Sequence, residues 1–209
     1  DLASFDWLGK SQDVAASDRK EIERASEILR KRGALDDDGD ITHRGIELDG
    51  FRTDTVDLAL CMSESDAFAC TLEMATFLAF LQPGQPFVRG DTGALGYVRW
   101  RKDCYDDLEL YLRLFHHWTS FPELAKRDEW FKSQGVNARF LAEVEAGREG
   151  LIANISRRTH DRLSWRSLDL KRLHRVRLVI ARCIPEWIYV QDQTSGAFRP
   201  HDPAKCPCS

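Results

Sequence analysis

The chain has no G-x-x-x-x-G-K-[ST] loop to cradle phosphates and no Asp-Glu-x-His to hold magnesium and position water. By itself it therefore lacks the parts of an ATPase. It also has no G-x-S-x-G nucleophile elbow and no H-E-x-x-H pair, which removes the commonest hydrolase signatures. No charge of one sign dominates: Lys and Arg number 30 against 34 Asp and Glu, for a net charge of -4, so any nucleic-acid-binding surface has to be local. The most apolar run, residues 67–81, is interrupted by Glu73 and is too short to span a bilayer, so it reads as a buried core helix and no membrane role is expected. Neither an internal repeat nor a low-complexity block is present. The first residue is Asp, and no charged-then-apolar leader precedes a small-residue cleavage site. The expectation is an intracellular, cytoplasmic protein whose sequence here is a piece of something longer.

Six cysteines are too scattered to make a disulfide framework. Cys61, Cys70, Cys104 and Cys183 fall within helical patterns and read as core thiols in a reducing compartment. Cys206 and Cys208, two residues apart, could hold a soft metal with His201. A structural site needs four well-spaced ligands, so the expectation is no metal. His116 and His117 are adjacent and so point to different sides of a helix, which suits one solvated and one packed residue better than a catalytic pair.

What is present is a dense succession of helix signals. Residues 18–32 place Ile22, Ala25, Ile28 and Leu29 on one helical face, and Gly33 follows as a stop preceded by Arg30, Lys31 and Arg32. Ala34-Leu35 and Ile41 then flank Asp36-Asp37-Asp38-Gly39-Asp40, a hairpin signal, and Thr42 is placed to cap the next helix. Spacing alone fits a small winged-helix unit and an ordinary helix–loop–helix with a solvated acidic loop equally well. Residues 66–82 read as one central helix stopped by Pro83-Gly84, and residues 83–102, with four glycines and two prolines, as a long connection. Three more helices follow: one from Asp103 through Leu108, Tyr111, Leu112, Phe115 and Trp118, one after Pro122, and one from Asn137 to Ile155.

The order and spacing of these elements resemble the C-terminal helicase-associated region of DEAH-box helicases, as a divergent member. The winged-helix-like stretch from Leu29 to Leu48 is similar to the opening of that region. Further on, Asp107-Leu108-Glu109-Leu110 leading to Trp118, then Trp130-Phe131, Asn137-Ala138-Arg139-Phe140-Leu141 and Arg148-Glu149-Gly150-Leu151 match the order of its helical "ratchet" pattern. Departures include Gly9-Lys10-Ser11-Gln12 where the family has prolines, Lys102-Asp103-Cys104-Tyr105-Asp106 where Gly-Asp-His is usual, Phe131 for Cys and Gly150 for Gln. The resemblance implies a mainly α fold. A winged-helix domain with its following core helix would occupy 1–82, a linker 83–102 and a ratchet bundle 103–183. Residues 184–209 would then form a short tail or the start of a truncated oligonucleotide-binding barrel. It also implies motor domains upstream in the same polypeptide, where ATP and magnesium would bind, a channel for single-stranded RNA, and an activator protein docking on the winged helix.

Between Arg148 and Arg182 lie ten basic residues, nine of them arginine, against Glu149, Asp161 and Asp169. Arginine grips phosphate oxygens with a planar fork and is weakly hydrated, which suits sequence-indifferent contact with a nucleic-acid backbone. The competing expectation is that these arginines pair with the acidic stretches Asp36–Asp40 or Asp103–Glu109. With the family resemblance added, the candidate nucleic-acid-binding residues are Asn137, Arg139, Arg148, Arg157, Arg158 and Arg162. The reading from another class is a stand-alone winged-helix module that docks proteins or binds duplex DNA. Its helix after Thr42 offers only His43 and Arg44 to a major groove.

Overall fold

The computed structural model describes residues 12–51, 53–81, 84–159, 168–185, 189–191 and 198–200. The fold is mainly helical: α1 (Gln12–Lys31), α2 (His43–Asp49), α3 (Val56–Ala67), α4 (Thr71–Phe80), α5 (Asp91–Arg101), α6 (Asp107–Thr119), α7 (Leu124–Ser133), α8 (Ala138–Thr159) and α9 (Leu173–Cys183), the last preceded by a single 3₁₀ turn at Leu170–Arg172. Two three-residue strands, β1 (Tyr189–Gln191) and β2 (Phe198–Pro200), pair antiparallel with Tyr189 opposite Pro200. No helix among the described residues is long and apolar enough to cross a membrane. The chain divides into two compact units, Asp1–Leu60 and Cys61–Ser209.

In the first unit the local grammar of the sequence is realised closely. Gly33 takes φ +72°, and the Gly33 and Ala34 amides donate to the Arg30 and Leu29 carbonyls, the paired bonds that end a helix when a left-handed residue follows it. The acidic loop closes on itself: the Asp36 amide donates to the Asp40 carbonyl at 2.9 Å, the Asp40 amide donates to Asp36 Oδ1 at 2.9 Å, and Leu35 bridges Ile41 antiparallel. Thr42 caps α2 as expected. Its hydroxyl accepts from the Gly45 amide at 2.9 Å and donates to the Gly33 carbonyl at 2.6 Å, so one side chain ties the start of α2 to the end of α1.

The second unit corrects three sequence expectations. Residues 66–82 are not one helix: α3 ends at Ala67 and α4 begins at Thr71, with Ala69 in the left-handed region at φ +49°. The Ala69 and Cys70 amides donate to the Asp66 and Ser65 carbonyls, the same stop as at Gly33 but made without a glycine, which is why the sequence hides it. Residues 83–102 are not a linker, because α5 occupies Asp91–Arg101. The division at 82/83 also fails. The helix expected to close the first domain, α4, packs most extensively on α8 and then on α6, inside the second unit.

That packing follows from composition. α4 is apolar on nearly every side, and Met74, Ala75, Leu78, Ala79 and Phe80 are all buried. Phe80 stacks on Tyr111 of α6 at 4.9 Å and meets Phe140 of α8 edge-on at 5.9 Å. Phe115, Trp118, Phe131, Leu141 and Val144 complete the core, and the Trp118 indole donates to Glu145 at 2.8 Å. Cys61, Cys70, Cys104 and Cys183 are buried free thiols, as expected. Burial, with Glu73 beside it, pushes the Cys70 thiol up to about 11 against the opposing pull of Arg175 and Arg172.

Two glycines with opposite surroundings test this architecture. Gly135 sits at φ +77° with the Thr92 carbonyl where a Cβ would stand, whereas Gly150 lies in α8 with open space around it. Gly135→Ala should lower the urea midpoint, with a loss of about 1–3 kcal/mol. Gly150→Ala should raise it, by about 0.5–1 kcal/mol.

Candidate nucleic-acid interface

The structure separates the six candidate residues by what their side chains already do. Arg148, midway along α8, is 4% exposed. Its Nε donates to the Thr76 hydroxyl of α4 at 2.8 Å, and its guanidinium lies 5.3 Å from the Phe115 ring centroid. Burial pulls its pKa down, while Glu73, Glu149 and Glu145 pull it back up. Arg148 is thus a core strut joining α4 to α8, and a strand running over the surface cannot reach it.

Asn137 precedes α8 and works at both ends of its amide. Oδ1 accepts from the Phe140 amide at 3.2 Å, capping the helix, and Nδ2 donates to the Gln85 carbonyl at 3.3 Å, anchoring the segment before α5. Arg139 is the opposite of Arg148: its side chain is 90% exposed and, among the described residues, pairs with Glu143 one turn on, at 3.0 Å. Arg157 and Arg158 lie near the C-terminal end of α8, but their side chains, and all of Arg162, fall outside the described residues. His201, Cys206 and Cys208 fall outside them too. His116 and His117 both reach solvent, and of the two it is His117 that also packs. The His117 ring rests against Trp100 at 5.2 Å, and burial, with His116 and Arg113 nearby, lowers its pKa. No group of three or more His, Cys, Asp or Glu among the described residues is placed to hold a metal.

Among the described residues, the arginine-rich stretch largely serves the fold. Arg172 and Arg175 donate to the Ala69 and Phe68 carbonyls at 3.1 and 3.2 Å, placing cations at the negative end of α3. Arg177 forks onto Asp106, with Nε to Oδ2 at 2.7 Å and Nη2 to Oδ1 at 3.2 Å, and reaches Glu109 at 3.5 Å. Asp106 in turn caps α6 by accepting the Glu109 amide at 2.9 Å. Arg182 lies 3.6 Å from Glu64. For Arg177 the competing expectation, pairing with Asp103–Glu109, is the one realised.

What stays open to a ligand is a cleft of about 450 Å³ lined by Gly84, Gln85, Phe87, Val88, Arg89 and Asn137. Backbone bonds build it: the Val88 amide donates to the Gly135 carbonyl at 3.0 Å and the Asn137 amide to the Pro86 carbonyl at 2.8 Å. Arg89 is exposed and has no ion pair among the described residues. Sequence reading missed it because a single arginine in a glycine-rich segment carries no periodic signal. The lip of the cleft is also the N-terminus of the 22-residue α8, whose first turn holds no acid and one cation, Arg139. A cation at the positive end of a helix dipole is unfavourable; Glu143 offsets Arg139 in part, and an anion bound at this end would do so further.

No protein-family model matches this sequence, and no curated protein matches it.

Structural and ligand-facing arginines should separate in stability measurements. Arg148→Ala should cost about 2–5 kcal/mol by opening a cavity in the core and removing the charged donor to the Thr76 hydroxyl, while Arg139→Ala should change stability by less than about 0.5 kcal/mol. Acid should test the Asp106 contact. Burial alone would push its carboxyl up, but the hydrogen bonds from Arg177 and the Glu109 amide outweigh it and hold the carboxyl below its ordinary range. A depressed carboxylate stabilises the fold above the unfolded-state pKa, and that contribution disappears as pH falls through the folded value. Urea midpoints should therefore fall more steeply with acid below about pH 4 in the wild type than in Asp106→Asn.

Proposed function

We propose that this chain is the accessory region of a DEAH-box-like, ATP-dependent RNA helicase, contributing backbone contacts to a single-strand channel while upstream motor domains supply the chemistry. The reading rests on the ordered motifs of the sequence, and the observation that carries it is the cleft at the N-terminus of α8. Asn137 and Arg89 line it, Arg89 has no carboxylate partner among the described residues, and Arg139, in the first turn of α8, adds its charge to the helix dipole. Such a corner grips phosphate without reading bases, which suits a strand that must slide. The acidic hairpin after α1 with its Thr42-capped helix is compatible with a winged helix, and the α4–α6–α7–α8 core with a ratchet bundle. The binding set then becomes Arg89, Asn137 and Arg139, with Arg157, Arg158 and Arg162 retained and Arg148 removed from contact with the strand.

A second reading has its own observation. In the first unit a groove of about 570 Å³ is lined by Leu29, Leu35, Ile41, Leu48 and Val56 with Asp49 and Asp54 at its edge, and Ile41 and Ile46 are 58% and 59% exposed. An apolar floor beside carboxylates repels phosphates and fits a protein partner, the behaviour of a docking module.

Fluorescence anisotropy with labelled oligouridylate across a salt series distinguishes the two. The helicase reading expects log-linear loss of affinity with salt, with the slope reduced by about 0.7 for each of Arg89→Ala and Arg139→Ala. Binding that is absent, or unaffected by both substitutions, leaves the docking reading.

A further inference from the structure

Helix α5 carries its small residues inward and its large aliphatic residues outward. Gly93 and Gly96 are its buried positions, while Leu95 and Val98 are 67% and 66% exposed. Rotation cannot correct this. Gly96 lies so close to the 134–135 turn that a Cβ there would stand 2.5 Å from the Gln134 carbonyl oxygen, so only this glycine face can meet the bundle.

The outward face has a regular order. Asp91, Leu95, Val98 and Lys102 are spaced by four, three and four residues, which keeps them on one stripe of a helix and is the spacing of a coiled-coil seam. Lys102 stays on that path because its backbone is still helical, at φ -50° and ψ -41°. All four residues are exposed, and neither Asp91 nor Lys102 has an ion pair among the described residues. The stripe therefore has an acid at one end, two aliphatic side chains in the middle and a base at the other.

That arrangement complements its own reverse. We propose that α5 is a self-association surface, on which α5 of a second copy lies antiparallel across a twofold axis. Asp91 of each copy then meets Lys102 of the other, and the two Leu95–Val98 pairs close the centre. A twofold contact must use the same patch on both copies, which this stripe satisfies and an all-basic or all-acidic face would not. Parallel pairing would oppose Asp91 to Asp91 and Lys102 to Lys102, so the charges select the antiparallel sense. A single 11-residue helix contributes a small interface, so the dimer is weak and concentration-dependent.

Sedimentation velocity over a concentration series on the 209-residue chain tests this, with circular dichroism to confirm that each variant is folded. The expected result is a monomer–dimer equilibrium that Leu95→Ser/Val98→Ser abolishes. Asp91→Lys and Lys102→Asp should each weaken it at least about tenfold, and the charge-swapped double variant D91K/K102D should restore it to within about threefold of wild type. A monomer at all concentrations overturns the proposal. So does a dimer indifferent to Leu95 and Val98, or a folded double variant that fails to recover. A monomeric wild type that instead binds vesicles of anionic lipid or a synthetic acidic amphipathic peptide through the same face also overturns it, and names a different occupant.

Discussion

A buried guanidinium organises the second unit. Arg148 cannot be left without partners in an apolar core, because an uncompensated interior charge costs several kcal/mol, on the order of the stability of a small domain. Its bond to Thr76 and its proximity to Glu73 fix the register of α4 against α8, the most extensive helix pair in this unit. Glu73 is itself 1% exposed, and its Oε1 accepts the Asp169 amide at 2.9 Å. The same polar cluster therefore also anchors the chain just before α9. Apolar packing alone would allow α4, with apolar residues on nearly every side, several rotations about its axis; the Thr76–Arg148 and Glu73–Asp169 bonds leave one.

The other arginines extend the same logic outward. Helix α3 ends without a glycine, leaving Ala69 in a left-handed conformation that costs an alanine about 1 kcal/mol. Arg172 and Arg175 donate to the carbonyls exposed at that end, which helps hold the turn in place. Arg177 clasps Asp106 at the opposite kind of terminus, where the carboxylate caps α6. Among the described residues, Arg172, Arg175 and Arg177 place their charge at helix ends rather than on an open polyanion surface.

Beside the arginines that serve the fold, Arg89 and Arg139 stand exposed near the start of α8. Arg89 and Arg139 are separated by fifty residues in sequence, and the corner exists because the bridge between Phe87 and Val136 joins the segment before α5 to the start of α8. Around it the glycines of α5 permit close backbone approach, and that same closeness turns Leu95 and Val98 outward. The cleft and the outward aliphatic stripe thus share one cause.

The sequence by itself determined the features that depend on neighbours within a few residues. The Gly33 stop, the Leu35–Ile41 bridge, the Thr42 cap, and the helices through Trp118, after Pro122 and after Asn137 all follow from local propensity, capping and 3.6-residue periodicity. Only the tertiary structure decided the rest. It broke residues 66–82 at Ala69, made a helix of a glycine-rich stretch read as a linker, and moved α4 into the second unit. It also sent Arg148 inward while leaving Arg139 in water, although both are arginines on the same helix. Those outcomes depend on which surfaces meet across long separations. A guanidinium's role is set by whether a carboxylate or hydroxyl 70 or more residues away arrives beside it, as Thr76 does for Arg148 and Asp106 for Arg177.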